Sequence, residues 1–159
     1  MASAYTGLGV ELMVTGENSG TWGDKTNTNL NLISQISGGF ISQAVNGTGA
    51  TTLAVIDGNT GAALATRSIK LTGTITGNIT VTIPLDVENF YFIENATSGA
   101  HTVEFKYATG SGSSVTWSAT NKGFKIVNAK ADDGTNPNVT EIALSTSPAG
   151  TTGQVQINS

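Results

Sequence analysis

The chain has 159 residues, a net charge of −4 and a charged fraction of 11%, less than half of the roughly 25% found in an average soluble domain. Its seven scattered basic residues do not form the patch that nucleic-acid binding requires, and the absence of cysteine excludes disulfides, zinc–thiolate sites and thiol catalysis. No apolar stretch approaches the ~20 residues that span a membrane, and the first residues lack the basic and apolar regions of a signal peptide.

Residues 1 to about 24 are punctuated by glycine and predict an extended arm. Within the arm, the segment 8–14 predicts one strand, because four apolar side chains fall on the same face: Leu8, Val10, Leu12 and Val14. Gly16 is expected to end this strand.

A single helix is predicted within residues 25 to about 44, where apolar residues recur at helical spacing: Leu30, Ile33 and Ile36. Three polar side chains are competent N-caps for this helix: Asp24, Thr26 and Asn27. Gly38-Gly39 ends or interrupts the helix, and Phe40-Ile41 either continues it for a turn or begins the next extended segment.

From about residue 50 the apolar period changes to two, which predicts strands. Gly77-Asn78 between the alternating runs 69–75 and 79–83 predicts a hairpin, because both residues tolerate the positive φ of a two-residue turn. The runs 90–94 and 102–107 predict a second hairpin. Three further short strands are expected: 115–117, 124–127 and 139–144.

Several short strands separated by turn residues predict a mainly β fold. We expect an antiparallel β-sandwich or jelly-roll-like domain over residues 46–147, preceded by an arm and one short helix over residues 1–45. Residues 148–159 have a linker composition and then restart an alternating strand with Val155 and Ile157 on one face. This strand either pairs with another copy of the chain or begins a longer element.

No combination of residues predicts a catalytic, cofactor or metal site, and we expect no enzyme activity. His101 is the only histidine, and a surface role is favoured for it. Glu94 and Glu104 flank the second predicted hairpin, where they would face each other as a glycosidase pair does, but solvated or lysine-paired carboxylates are favoured. The segment 132–136 lacks the pattern of a calcium loop and predicts an ordinary Asx turn.

An alternative function is binding of a host glycan by aromatic side chains on one sheet face: Trp117, Tyr91 and Tyr107. Four Asn-X-Thr sequences are interpreted as coincidences of a Thr-rich chain: Asn46, Asn78, Asn95 and Asn138. An interaction protein is favoured over both enzyme and glycan-binding module. The arm, the short amphipathic helix and the weakly charged strands can join to protein partners without an active site.

The run 16–30, which reads GENSGTWGDKTNTNL, resembles a segment near the start of tail-fibre and other virion structural proteins of tailed bacteriophages, many from marine hosts. The β-rich part 66–145 is similar to the domain that accompanies this segment, most closely at 88–92 and 114–117. The run 150–156 is similar to linkers that lead into trimeric fibre shafts.

The resemblance implies a homotrimeric virion component without enzyme activity, assembled in the bacterial host cytoplasm. Its first 45 residues would dock on a tail adaptor, a nozzle or another virion protein, and a capsid decoration protein is the alternative. Trp22 would be the buried anchor, and Leu30 and Ile33 would pack the helix down. The candidate interface residues are Leu12, Trp22, Thr26, Asn27, Leu30, Ile33, Val155 and Ile157. No cofactor, nucleic acid or membrane insertion is expected.

Overall fold

The computed structural model describes residues 2–144. The elements in chain order are β1 (Ala4–Tyr5), β2 (Glu11–Leu12), α1 (Trp22–Gly38), β3 (Phe40–Ala44), β4 (Gly47–Thr52), a 3-10 helix (Ala63–Ala65), β5 (Ser68–Thr72), β6 (Ile75–Ile83), β7 (Asn89–Asn95), β8 (Val103–Tyr107), β9 (Val115–Trp117), β10 (Gly123–Ala129) and β11 (Val139–Glu141). The predicted mainly β class with one helix is confirmed. No helix among the described residues is long and apolar enough to cross a membrane.

The two larger sheets are built by a coiled path of the chain. The five-stranded sheet has the order β11-β10-β7-β5-β3, and the four-stranded sheet has the order β4-β6-β8-β9. The chain alternates between the sheets, so β3, β5 and β7 run parallel in one, as do β4, β6 and β8 in the other. Each of three successive coils therefore contributes one strand to each sheet. Strands β10 and β11 extend the five-stranded sheet beyond β7, and β9 extends the four-stranded sheet beyond β8, all in antiparallel pairing.

Both predicted hairpins are wrong, and the sheets contain parallel as well as antiparallel ladders. Gly77-Asn78 lies within the continuous strand β6, and the chain instead passes between the sheets at Gly73, whose φ is 110°. Strands β7 and β8 also belong to different sheets. Alternation indicates that one side of a strand is buried, but it does not indicate which strand lies alongside. Two alternating runs joined by turn residues therefore have the same sequence pattern whether the second strand pairs with the first or lies in the other sheet.

The core lies between the two sheets and consists of apolar side chains stacked from coil to coil. Ile41, Ile69 and Ile93 are in register in the five-stranded sheet, although 28 and 24 residues separate them along the chain. Ile79 and Val103 are paired in the same way in the four-stranded sheet, and both are buried. Burial of one such side chain stabilises the fold by about 1.5–3 kcal/mol.

Asparagine side chains fasten successive coils to one another. Oδ1 of Asn46 accepts the amide of Thr74 at 3.1 Å, and Oδ1 of Asn78 accepts an amide one coil further along, also at 3.1 Å. Asn138 accepts the amide of Ser113, which is distant in sequence, whereas Asn95 accepts the amide of Thr97 within its own turn. Each asparagine of the four Asn-X-Thr sequences thus has a structural partner.

Helix α1 begins earlier than predicted, and its end at Gly38 agrees with the expectation that Gly38-Gly39 ends it. It starts at Trp22, and the N-cap residue Thr21 makes no capping hydrogen bond with its side chain. The three predicted N-caps are wrong, because they lie within the first turns of the helix: Asp24, Thr26 and Asn27. The helix ends at Gly38, and Gly39 has an extended backbone, with ψ of 156°. Phe40 then begins β3, so of the two alternatives left open after Gly39 the extended segment is confirmed.

The arm folds back on itself and does not form the predicted strand 8–14. β1 and β2 pair antiparallel, and Gly9, which precedes β2, has a φ of 79°. This left-handed backbone suits glycine and interrupts the alternation. Leu8 consequently packs against the core, whereas Leu12 is exposed. The Gly9 carbonyl accepts the Gly58 amide at 2.8 Å, which holds the arm on the loop after β4.

Candidate docking surface

One asparagine of α1 fastens the backbone of the arm. Oδ1 of Asn29 accepts the amide of Glu11 at 3.0 Å, and its Nδ2 donates to the Glu11 carbonyl at 2.9 Å. The side-chain amide thus satisfies both backbone groups of Glu11, as a neighbouring strand does in a sheet. The position of Asn29 in the helix therefore determines where the arm lies.

The carboxylate of Glu11 adds an ionic contact between the arm and the helix. Glu11 is only 5% exposed, and its carboxylate accepts the Ser3 hydroxyl at 2.8 Å and the Lys25 ammonium at 3.1 Å. The Ser3 hydrogen bond, followed by the hydrogen bond and charge of Lys25, lowers the pKa of Glu11, although burial opposes this shift. A buried charge is tolerated when it is paired and hydrogen-bonded. The arm is therefore fixed to the helix most firmly while Glu11 is ionised.

The inner face of α1 packs on the loop that precedes β5. Leu32 is fully buried and contacts Ala62 and Ala65. Nε2 of Gln35 donates to the carbonyl of Ala65 at 2.7 Å, and its Oε1 accepts the amide of Gly61 at 2.9 Å. These contacts fix the rotation of the helix about its axis and so determine which side chains face outward.

The outer face of α1 leaves three large apolar side chains in water: Trp22 (65% exposed), Leu30 (58%) and Ile33 (50%). Helical spacing places them on one side of the helix together with Thr26. The expectation that Leu30 and Ile33 pack the helix down on the rest of the chain is wrong, because Leu32 has that role. Asn27 is exposed on a different side of the helix.

We call the outward side chains of this region the arm–helix surface: Leu12, Trp22, Thr26, Leu30 and Ile33. Leu12 belongs to it because it is 53% exposed and directly follows Glu11, which is bonded to the helix. Val155 and Ile157 lie outside the described residues, so pairing between chains through them stays a prediction. Contiguous exposed apolar side chains are typical of protein interfaces.

A second apolar surface, the phenylalanine face, covers the outer side of the five-stranded sheet: Phe40, Phe90, Phe92 and Phe124. The ring centroid of Phe92 is 5.7 Å from that of Phe90 and 5.8 Å from that of Phe124. Phe40 is 64% exposed and lies in the same row as Phe92, two strands away. The rings are thus ordered by contacts with one another while one side of them remains in water.

The aromatic side chains predicted to bind a glycan are buried, so this prediction is wrong: Trp117, Tyr91 and Tyr107. Nε1 of Trp117 donates to the Gly123 carbonyl at 2.9 Å, and the Tyr91 hydroxyl donates to the Leu64 carbonyl at 2.8 Å. Burial raises the pKa of Tyr91. All three residues occupy the inward positions of alternating strands, where they fill the core.

The glycosidase-like pair, the disfavoured alternative for Glu94 and Glu104, is contradicted, because the two residues lie on β7 and β8 in different sheets. Glu94 instead pairs with Lys70 at 3.0 Å, as the favoured lysine-paired interpretation expects. Glu104 accepts the Ser114 hydroxyl at 2.7 Å. The Asx turn is confirmed, because Oδ1 of Asp133 accepts the Thr135 amide at 2.7 Å. Within residues 2–144, no group of three or more His, Cys, Asp or Glu is placed to hold a metal ion.

The sequence did not indicate the contacts of Glu11 or the phenylalanine face. Glu11 bonds to Lys25 and Asn29, which are 14 and 18 positions away, and no local pattern reports such a contact. The phenylalanine face, in contrast, could have been predicted from a pattern in the sequence. The run 90–94 reads FYFIE and carries apolar side chains on both sides of the strand, which is typical of strands that are covered on both faces.

Comparisons with protein-family models, curated proteins and solved structures find no match for this chain. The two exposed apolar surfaces are therefore the observations from which a function can be inferred.

Proposed function

We propose that this chain is a structural protein of a bacteriophage virion without enzyme activity, a tail-fibre component that docks on another virion protein through the arm–helix surface. The observation that carries the proposal is the outward apolar face of α1, where Trp22 is 65% and Leu30 is 58% exposed. Tryptophan is enriched at the centres of protein interfaces, where it supplies a large part of the binding free energy. An exposed tryptophan on a fixed helix is suited to that role.

The resemblance of the run 16–30 to virion proteins supports the same conclusion. Within this run, Asn18, Lys25 and Asn29 bond to the arm, whereas Trp22 faces the solvent. The polar residues account for folding, but they do not account for a tryptophan in water. We infer that the run builds a rigid platform and presents Trp22 from it, which reduces the entropic cost of binding.

The phenylalanine face supports association between copies of the chain, three of them in the assembly that the resemblance implies. Beside the exposed rings, Lys70 lies 3.0 Å from Glu94, so these two charges compensate each other within one chain. The guanidinium of Arg67 lies 4.1 Å from the centroid of the Phe90 ring. Identical faces with little uncompensated charge can approach one another without strong repulsion.

A capsid decoration protein is the alternative function, and it would use the same two surfaces. The resemblance of the run 16–30 to tail-fibre segments favours the tail. Electron microscopy of particles that carry a labelled chain distinguishes the two functions, because the label lies on the tail in one case and over the head in the other.

Replacement of the anchor tests the proposal directly. In the intact chain, Trp22→Ala should leave circular dichroism unchanged, because the side chain is 65% exposed, and should reduce incorporation into particles. Truncation of a hot-spot side chain costs about 2 kcal/mol or more, a roughly 30-fold loss of affinity. The matched control is Ile56→Ala, which removes a side chain that is 48% exposed outside both surfaces. Normal incorporation of Trp22→Ala would contradict the docking role.

A further inference from the structure

A cavity beside the arm–helix surface has a volume of ≈ 360 Å³. We call it the arm pocket, and its lining residues come from the arm, from α1 and from the loop between β6 and β7: Thr6, Gly7, Leu8, Val10, Ile36, Asp86 and Glu88. Ile36 is one helical turn from Ile33 of the arm–helix surface, so the two features are contiguous. The volume lies within the range of sites that hold a ligand or a large side chain.

The arm pocket has an apolar floor and a negatively charged rim. Leu8, Val10 and Ile36 are half-buried and form the floor, whereas Asp86 and Glu88 are exposed. Val87 between the two carboxylates is fully buried, so both of them remain outside the core. Within residues 2–144, neither Asp86 nor Glu88 is in a salt bridge. The rim therefore presents negative charge that no lysine or arginine of the described chain compensates.

Close backbone contact between the arm and the loop fixes the two walls of the pocket relative to each other. A Cβ atom on Gly7 would lie 2.1 Å from the Asp86 carbonyl oxygen, far below van der Waals distance. The arm can therefore lie this close to the loop only with glycine at this position. The pocket is consequently formed before any partner binds.

The charges of the chain are segregated toward this end of the molecule. The arm, α1 and the two loops that contact the arm carry six carboxylates: Glu11, Glu17, Asp24, Asp57, Asp86 and Glu88. The same segments contain one basic side chain, Lys25, which is paired with Glu11. The remaining parts of the chain carry six basic and five acidic side chains. The net negative charge of the protein therefore comes from the segments around the arm–helix surface, and a positively charged partner would be attracted to it.

We propose that the arm pocket receives an arginine side chain of the protein on which the arm–helix surface docks. This inference rests on the proposed function and adds the chemistry of the partner. The arginine stem would cover Leu8, Val10 and Ile36, and the guanidinium would meet Asp86 and Glu88. Arginine fits better than lysine, because its planar guanidinium presents several donors to two carboxylates at once, whereas the ammonium of lysine is a compact point charge.

The test uses the intact chain and defined small probes. Nα-acetyl-arginine methylamide is titrated while the methyl signals of Leu8, Val10 and Ile36 are followed by NMR. We expect saturable shifts confined to these methyl groups. The citrulline and lysine counterparts should bind at least roughly tenfold more weakly, because the first lacks the charge and the second lacks the planar fork. Equal shifts with either counterpart, or shifts spread over the surface, would overturn the proposal.

Two variants separate the pocket from general electrostatic attraction. Asp86→Asn combined with Glu88→Gln should abolish the arginine-dependent shifts. Asp57→Asn, which removes a carboxylate outside the pocket, should retain them. Retention of the shifts in the double variant would contradict the assignment of the rim.

Failure of this inference and failure of the proposed function can be told apart. Loss of particle incorporation in Trp22→Ala without arginine binding would reject only the arginine pocket. Arginine binding together with normal incorporation of Trp22→Ala would reject only the virion docking role.

Discussion

The coiled sheets and the arm–helix region are held together by different interactions. In the sheets, large side chains such as Trp117 fill the space between coils, and apolar burial is the main source of stability. In α1, Leu32 is the only buried residue, and polar contacts of Lys25, Asn29 and Gln35 fasten the helix and the arm. Because polar contacts fix the helix and the arm, the largest apolar side chains of this region are not needed for packing within the chain and remain exposed. The interactions that stabilise the sheets and the surface proposed for docking thus reside in different parts of the chain.

The largest expected effect is the loss of the core tryptophan. Trp117 is 1% exposed and its indole donates to the Gly123 carbonyl, so Trp117→Ala should lower the free energy of unfolding by about 3–5 kcal/mol. The exposed tryptophan provides the matched comparison, because Trp22→Ala should change the free energy of unfolding by about 0.5 kcal/mol or less. Urea unfolding followed by circular dichroism measures both values. Similar losses for the two variants would remove the proposed distinction between the regions.

A smaller effect is expected on the association of copies through the phenylalanine face. Phe124 is 59% exposed, so Phe124→Ser should leave the fold intact and shift an oligomer toward monomer in light scattering at high concentration. Leu30→Ser removes a side chain that is 58% exposed on the other surface and should keep the wild-type mass. A wild-type monomer at high concentration, or dissociation caused only by Leu30→Ser, would argue against association through this face.

The smallest effect is local and depends on pH. Because the pKa of Glu11 is lowered in the folded chain, its contribution to stability is present above the ordinary glutamate pKa of about 4.3 and is lost as pH falls through the lowered value. Protection of the Glu11 amide from hydrogen exchange should therefore decrease at low pH, while the Ile93 amide in the sheets stays protected. Glu11→Gln should remove this pH dependence. Simultaneous loss of protection at both amides would show that the arm is not an independent region.

Local patterns predicted the elements better than their arrangement. The alternating run 102–107 became β8, with Val103, Phe105 and Tyr107 all buried, because alternate burial is a property of one strand. The helix was predicted too late in the chain, since its first turn lacks the side-chain cap from which a start is normally recognised. In the candidate surface, Trp22 was singled out from the sequence as the anchor of an interface; it is 65% exposed in the chain, and its role as an anchor stays a prediction.

The sequence by itself determined the class of this protein. Few charges, alternating β-branched residues and one helical period are local properties, and together they specify a mainly β chain with a single helix. Only the tertiary structure decided that the strands form parallel coils, because the residues in register, such as Ile69 and Ile93, are far apart in sequence. The tertiary structure also decided which face of α1 is exposed. Leu30 and Leu32 are equally apolar, and the contacts of Leu32 with Ala62 and Ala65, with the hydrogen bonds of Gln35, turn Leu30 toward the solvent.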